Sequence, residues 1–259
     1  MALLNIEKLT KSFGGLTAVS HASMHVDQGE LVGLIGPNGA GKTTVFNLLT
    51  GVYAPDSGTI TLTAAGREAK LNGLKPHVIS KRGLARTFQN IRLFKDLSLL
   101  ENVMIAMHQN IQYRLPSAML HGFTFHREEK RLREEATKLL AIFKLADKKD
   151  EFAKNLSYGD QRHLEIARAL ATEPVLLLLD EPAAGMNPNE TAALTETIAW
   201  LRQEYKLTIF LIEHDMSLVM KICERIYVLD YGMLIAEGKP EEIKNDKKVI
   251  EAYLGENIE

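Results

Sequence analysis

Apolar residues along the chain switch between two periods, and the switches divide it. Residues 3–9, 18–26 and 58–63 alternate apolar with polar positions or are rich in β-formers, with glycine at the turns. That pattern predicts strands of a partly exposed sheet. LVGLIG (31–36) is continuously apolar and ends in glycine, as a strand covered on both faces does. TIFLIEHD (208–215) and RIYVLD (225–230) have the same character. VLLLLD (175–180) fits a buried strand or a buried helix by pattern alone, and the Asp-Glu-Pro after it argues for a strand that ends there.

Helical spacing fills the remainder. LLENVMIAMHQ (99–109) and FHREEKRLREEATKLLAIFKLA (125–146) each read as one helix, and Leu164, Ile166, Ala167 and Leu170 are spaced for another. NPNETAALTETIAWLRQEY (187–205) carries its own start signals: Asn187 as cap, Pro188 in the first turn, and Glu190 placed for a capping box. The charge run HREEKRLREE predicts a solvated helix face with i,i+4 pairing. YRLPSAMLHGF (113–123) is apolar with Pro and Gly, and reads as a loop or short helix packed on the helical segment, or as a contact surface for a partner. Strands alternating with helices imply a mostly parallel, covered sheet. The expected organisation is one domain: a core from 1–90 and 155–240, a helical subdomain at 95–155, and a helical tail at 241–259.

Composition narrows this only a little. At 259 residues, a single α/β domain with an inserted subdomain fits best. A net charge of −2 gives no support for general binding to nucleic acid or to anionic membrane. Cys223 is the sole cysteine, so no intrachain disulfide forms, and in LVMKICERI it reads as a small buried apolar residue. MALLNIEKLTKS lacks the apolar core of a signal peptide. No stretch approaches the roughly 18 apolar residues that span a bilayer. Work at a membrane therefore requires another protein to hold this chain there.

Chemistry is concentrated in two stretches. GPNGAGKT (36–43) satisfies G-x-x-x-x-G-K-[ST] between an apolar strand and a helix-compatible segment, the context that motif needs. Gly36, Gly39 and Gly41 let the backbone curl so that N–H groups face phosphates. Lys42 reaches the β- and γ-phosphates, and the Thr43 hydroxyl serves Mg²⁺, which keeps most of its waters. In LLLLDEP, Asp180 at a strand end holds the metal through water. Glu181 beside it is a candidate to polarise the attacking water. Three other residues are unremarkable alone: His214 reads as a hydrogen-bonded structural histidine, Gln89 as a surface glutamine and Phe13 as core. LSYGDQ (156–161) places a serine and a glycine at the start of a helix, a second anion site.

In this order, Phe13, GPNGAGKTT, TFQ, LSYGDQ, VLLLLDEP and EHD resemble the ATP-binding subunit of ABC transporters, over nearly the whole chain. The resemblance implies a P-loop NTPase: an α/β fold with a RecA-like mixed or parallel sheet, an N-terminal antiparallel β subdomain and an inserted helical subdomain. It implies that ATP sits on Gly36, Pro37, Asn38, Gly39, Ala40, Gly41, Lys42, Thr43 and Thr44, with Phe13 against adenine. Thr43, Gln89 and Asp180 serve Mg²⁺; Glu181 is the catalytic base, His214 the γ-phosphate sensor, and Gln89 touches the metal or the attacking water. Ser157, Gly159 and Gln161 grip the ATP of a second subunit packed head to tail, which is why one chain carries two half-sites.

Two positions depart from the common pattern: Tyr158 replaces the first glycine of LSGGQ with Asp160 inserted, and Asn187 stands where Asp is usual. With FGGLTAV, LARTFQNIRLF, LSYGDQRHLEIARAL and DEPAAGMNP, they resemble the branched-chain amino-acid importers of the Liv type. That branch implies a heterodimer with a sister ATPase, two integral membrane subunits, an external binding protein and a peripheral place on the cytoplasmic face. An ABC ATPase for another cargo, such as a lipid or a different amino acid or amide, is the alternative. A soluble ABC-type ATPase acting on DNA or ribosomes fits less well, since there is one P-loop and no sustained heptad pattern.

Overall fold

In the computed structural model, residues 2–108 and 123–254 are described. All but the last residue of the apolar stretch 113–123 therefore lies outside the described residues. The strands in chain order are β1 (Ala2–Phe13), β2 (Leu16–Asp27), β3 (Leu31–Ile35), β4 (Ser57–Ala64), β5 (Arg67–Lys70), β6 (Leu84–Arg86), β7 (Leu176–Asp180), β8 (Thr208–Ile212), β9 (Arg225–Asp230) and β10 (Met233–Gly238). The helices are α1 (Lys42–Leu49), α2 (Pro76–Lys81), α3 (Leu99–Met107), α4 (Phe123–Ile142), α5 (Tyr158–Leu170), α6 (Pro188–Tyr205), α7 (Met216–Ile222), α8 (Pro240–Lys244) and α9 (Lys247–Leu254). Two compact units result: residues up to Arg86 together with those from Val175 onward, and Thr87–Pro174.

The first unit contains both sheets. β2-β1-β4-β5 is antiparallel, with Leu4 opposite Val26 and Leu62, and Ile6 opposite Met24 and Ile60. All six side chains are buried, which is the origin of the period-two pattern. The second sheet runs β10-β9-β3-β8-β7-β6, parallel from β9 to β6 with β10 antiparallel at its edge. Every residue of β3, β7 and β8 is buried, as their unbroken apolar runs require. The expected strand 208–215 stops at Ile212, because Asp215 caps α7 by accepting from the Ser217 and Leu218 amides. Cys223 is buried, and burial pushes its thiol pKa up.

The second unit is helical. α3 packs on α4 and α5, and among the described residues of 95–155 the β-pairing is a single bridge between Ser98 and Phe152. α4 ends at Ile142, short of the expected 146, because Lys144 adopts a left-handed φ of 58° and turns the chain. Arg131 pairs with Glu128 and Glu135, and Arg133 with Glu129, the solvated pairing its charge run predicts. This unit is wider than the expected 95–155, since α5 packs with the helices.

Candidate functional site

Three neighbouring parallel strands, β3, β8 and β7, deliver their carboxyl ends to one edge of the sheet. The loop Gly36–Gly41 leaves β3, Glu213 and His214 leave β8, and Asp180 closes β7 with Glu181 after it. That edge is where parallel α/β sheets place ligands.

The glycine loop is shaped by contacts that only glycine permits. Gly36 has φ 147°, and a Cβ there would sit 1.9 Å from the Leu229 carbonyl oxygen. Gly41, at φ 103°, would place one 2.2 Å from the Ala18 oxygen. Ala40 is clamped from outside, its carbonyl accepting from the Gly232 amide at 2.9 Å. Lys42 is buried and curls back, its Nζ donating to the carbonyls of Gly36 (2.6 Å) and Pro37 (2.7 Å). Asn38, Gly39 and Thr43 are exposed, while Pro37 is buried and Thr44 half-buried. A glycine-rich loop running into the start of α1, with a buried cation in its wall, has the chemistry to receive an anion.

Asp180 is tied sideways. Its Oδ2 accepts from Arg86 Nη2 at 2.6 Å, and both side chains are almost wholly buried. Arg86 Nη1 donates to Asn47 Oδ1 (2.8 Å) and Thr50 Oγ1 (3.3 Å), so one guanidinium joins the ends of β6 and β7 to α1. Among the described residues no group of three His, Cys, Asp or Glu is set to hold a metal. A hydroxyl from Thr43 and one carboxylate from Asp180 suit Mg²⁺, which retains waters rather than filling a protein cage.

Glu181 turns away from Asp180. It holds a left-handed φ of 48°, uncommon for a residue with a Cβ, and its Oε1 lies 2.7 Å from His214 Nε2. The imidazole is 42% exposed, so the pair meets solvent on one side and the sheet on the other. Glu213 is 3% exposed and accepts from the Ala183 amide (2.7 Å) and the His214 amide (2.8 Å). Phe13 is not core: it is 42% exposed, its ring edge-on to Tyr53 at 5.1 Å with the Lys11 ammonium 5.4 Å from its centroid. An exposed ring at a strand end can stack a planar group.

The other expected residues belong to the second unit. Ser157 caps α5, its Oγ accepting from the Asp160 amide at 3.2 Å, and Gln161 Nε2 donates to the Leu156 carbonyl at 3.0 Å. Ser157 is exposed and Gly159 buried. The Gln89 side chain is exposed, while its carbonyl accepts from Arg162 Nη2 at 2.7 Å. Arg162 is fully buried, also donates to the Phe88 carbonyl (2.6 Å) and pairs with Glu165 (2.7 Å). Burial raises the Glu165 carboxyl pKa against the opposing pull of Arg162. Asp160 takes an ion pair from Lys148 at 2.8 Å, which raises the Lys148 pKa.

Sequence reasoning passed over Arg86, Glu213 and Arg162. Each left a trace: a charge inside or at the edge of an apolar run, in GLAR, in TIFLIE and on the apolar side of α5. Each charge meets at least one partner distant in sequence: Arg86 meets Asp180, Glu213 meets Ala183, and Arg162 meets Phe88 and Gln89.

Comparison with known proteins adds the following. Residues 19–184 match the family model described as ABC transporter, and 233–259 the one described as branched-chain amino acid ATP-binding cassette transporter. The chain is similar to the high-affinity branched-chain amino acid transport ATP-binding protein LivG of Salmonella typhimurium, 50% identical over 254 residues and 98% of each chain. It is 46% identical, with the same coverage, to the corresponding protein BraF of Pseudomonas aeruginosa. A solved ATP-binding cassette of an ABC transporter, in its ADP conformation, matches with a TM-score of 0.83 at 30% identity, covering 98% of this chain and 99% of that one.

Proposed function

Because the chain belongs to the ATP-binding family of ABC transporters, with the α/β P-loop fold of its cassettes, we propose that its sheet edge binds and hydrolyses ATP to drive import of branched-chain amino acids. The observation that carries this is that the glycine loop with Lys42, the Glu181–His214 pair and Asp180 all lie at the ends of three adjacent parallel strands. The relatives named for branched-chain amino-acid transport support the cargo, and so does the match over 233–259.

In this reading the amides of 36–43 and the Lys42 ammonium hold the phosphates, and Phe13 stacks on the adenine. Thr43 and Asp180 would hold Mg²⁺, which when bound would neutralise charge on the phosphoryl oxygens. Glu181 accepts a proton from the attacking water. His214 donates to Glu181 through Nε2 and fixes where that carboxylate points. Ser157, Gly159 and Gln161 contribute to the pocket of a second, related ATPase subunit, which returns the same residues to this one.

ABC importer ATPases dimerise and work with permease subunits. Here the partners are a sister ATPase, two integral membrane subunits and, indirectly, an external binding protein. In this reading those partners hold the chain at the cytoplasmic face; among the described residues no helix is long and apolar enough to cross a membrane.

The test is uptake of labelled leucine by cells deleted for this chain. Restoration by the wild-type chain and not by Glu181→Gln is the expected result. Uptake unchanged by the deletion refutes the cargo and leaves an ATPase serving another substrate.

A further inference from the structure

Glu213 carries no role in the account so far, yet its position is unusual. It is a carboxylate 3% exposed at the end of an otherwise apolar strand. A buried carboxylate is costly unless its oxygens are hydrogen-bonded, and this one is served by three amides. Oε1 accepts from Ala183 at 2.7 Å; Oε2 accepts from His214 at 2.8 Å and Asp215 at 3.2 Å. One oxygen therefore serves the loop after β7 and the other serves the loop after β8.

The loops it joins carry Glu181 and His214. Two further bonds cross between them: the Glu181 amide donates to the Ile212 carbonyl at 2.9 Å, and His214 Nε2 meets Glu181 Oε1 at 2.7 Å. Beyond Ala183 the loop is tightly wound, with Ala184 donating to the Glu181 carbonyl and Met186 to that of Ala183, both at 3.1 Å. Its far end is fixed by Asn187, which caps α6. Glu181 itself sits at φ 48°, a conformation that persists where surrounding contacts over-determine it. The Ala183 tie is the one of these cross-links that Glu213 makes with its side chain.

We propose that Glu213 is a positioning residue: it braces the loop 181–187 against the backbone of His214, and so keeps the Glu181 carboxylate within hydrogen-bond reach of the imidazole. It acts through the loop and not on the reacting atoms. The inference rests on the reading of Glu181 and His214 as the catalytic pair.

The experiment uses the full-length chain as wild type, Glu213→Ala, Glu213→Gln, Glu181→Gln, His214→Ala and the double Glu213→Ala/His214→Ala. Hydrolysis is measured against ATP concentration, and amide exchange is followed at Ala183 and along β7 and β8. Glu213→Ala lowers kcat by about 10-fold to 100-fold, the cost of a small misplacement, and leaves KM for ATP within about twofold. Glu213→Gln, with one accepting oxygen, recovers part of the loss. In the His214→Ala background the same change costs little more, because the geometry it protects is already gone. Protection falls at Ala183 and holds in the strands.

A loss as large in the His214→Ala background as in wild type, or protection lost evenly along β7 and β8, assigns Glu213 to general stability and overturns the inference. A wild-type rate in Glu213→Ala beside an inactive Glu181→Gln removes this inference alone. A wild-type rate in Glu181→Gln removes the catalytic reading and this inference with it.

Discussion

On the proposed reading, Lys42 holds phosphate and Glu181 takes a proton, and their substitutions should separate cleanly. Glu181→Gln keeps the volume and the polar contact with His214 but cannot take a proton. Turnover should fall by about 10²- to 10⁴-fold with ATP affinity retained. Steady-state rates and equilibrium nucleotide binding on the same preparation check this. Lys42→Ala should instead weaken nucleotide binding itself, since it removes the buried cation from the loop wall; unchanged affinity by titration contradicts that role. Lys42 was conspicuous because its contacts are short-range, its ammonium meeting the carbonyls of Gly36 and Pro37. Glu213 and Arg86 were not, because their partners Ala183 and Asp180 are 30 and 94 residues away along the chain. Phe13 was misread when taken alone, since an aromatic residue in an alternating strand looks like core until its exposure is known.

At the scale of elements, periodicity located β1, β2 and β4 and the buried β3, β8 and β9, because burial on one or both faces is written directly in residue order, while β7 needed the Asp-Glu-Pro after it to be told from a helix. β5 (REAK) and the three-residue β6 escaped because they form by pairing at sheet edges and not by apolar pattern. The cap of α6 at Asn187 was legible down to its capping box, and its side chain accepts from Asn189 and Glu190 at 3.0 Å each. The cap of α7 was missed behind the preceding apolar run, and it makes a pH prediction. Hydrogen bonding from Ser217, ahead of the Leu218 and Ser217 amides, holds the Asp215 pKa below its ordinary 3.8. A lowered folded-state value means the carboxylate stabilises the fold above the unfolded pKa, and that contribution is lost as pH falls through the folded one. Asp215→Ala should therefore cost about 1 kcal/mol near neutrality. The difference in thermal midpoint from wild type should shrink as pH is lowered from about 6 toward 3. A gap that stays constant over that range contradicts a charged cap.

For the whole molecule, the sequence conveyed the order of sites more fully than the grouping of elements. The helix α5 falls within the expected core range 155–240, while its contacts are with α3 and α4 and it groups with Thr87–Pro174. The chain carries the glycine loop with Lys42 in one unit and the Ser157 cap in the other, which on the proposed reading is the inventory of a subunit that completes its pocket with a relative. The central claim is that this ATPase is one part of a membrane importer, and native purification tests it most directly. The tagged chain is extracted in detergent from its own cell membranes, and co-purifying proteins are identified by mass spectrometry. Two polytopic membrane proteins and one related ATPase are the expected companions. Recovery only from the soluble fraction, alone or with ribosomes or DNA, contradicts the account.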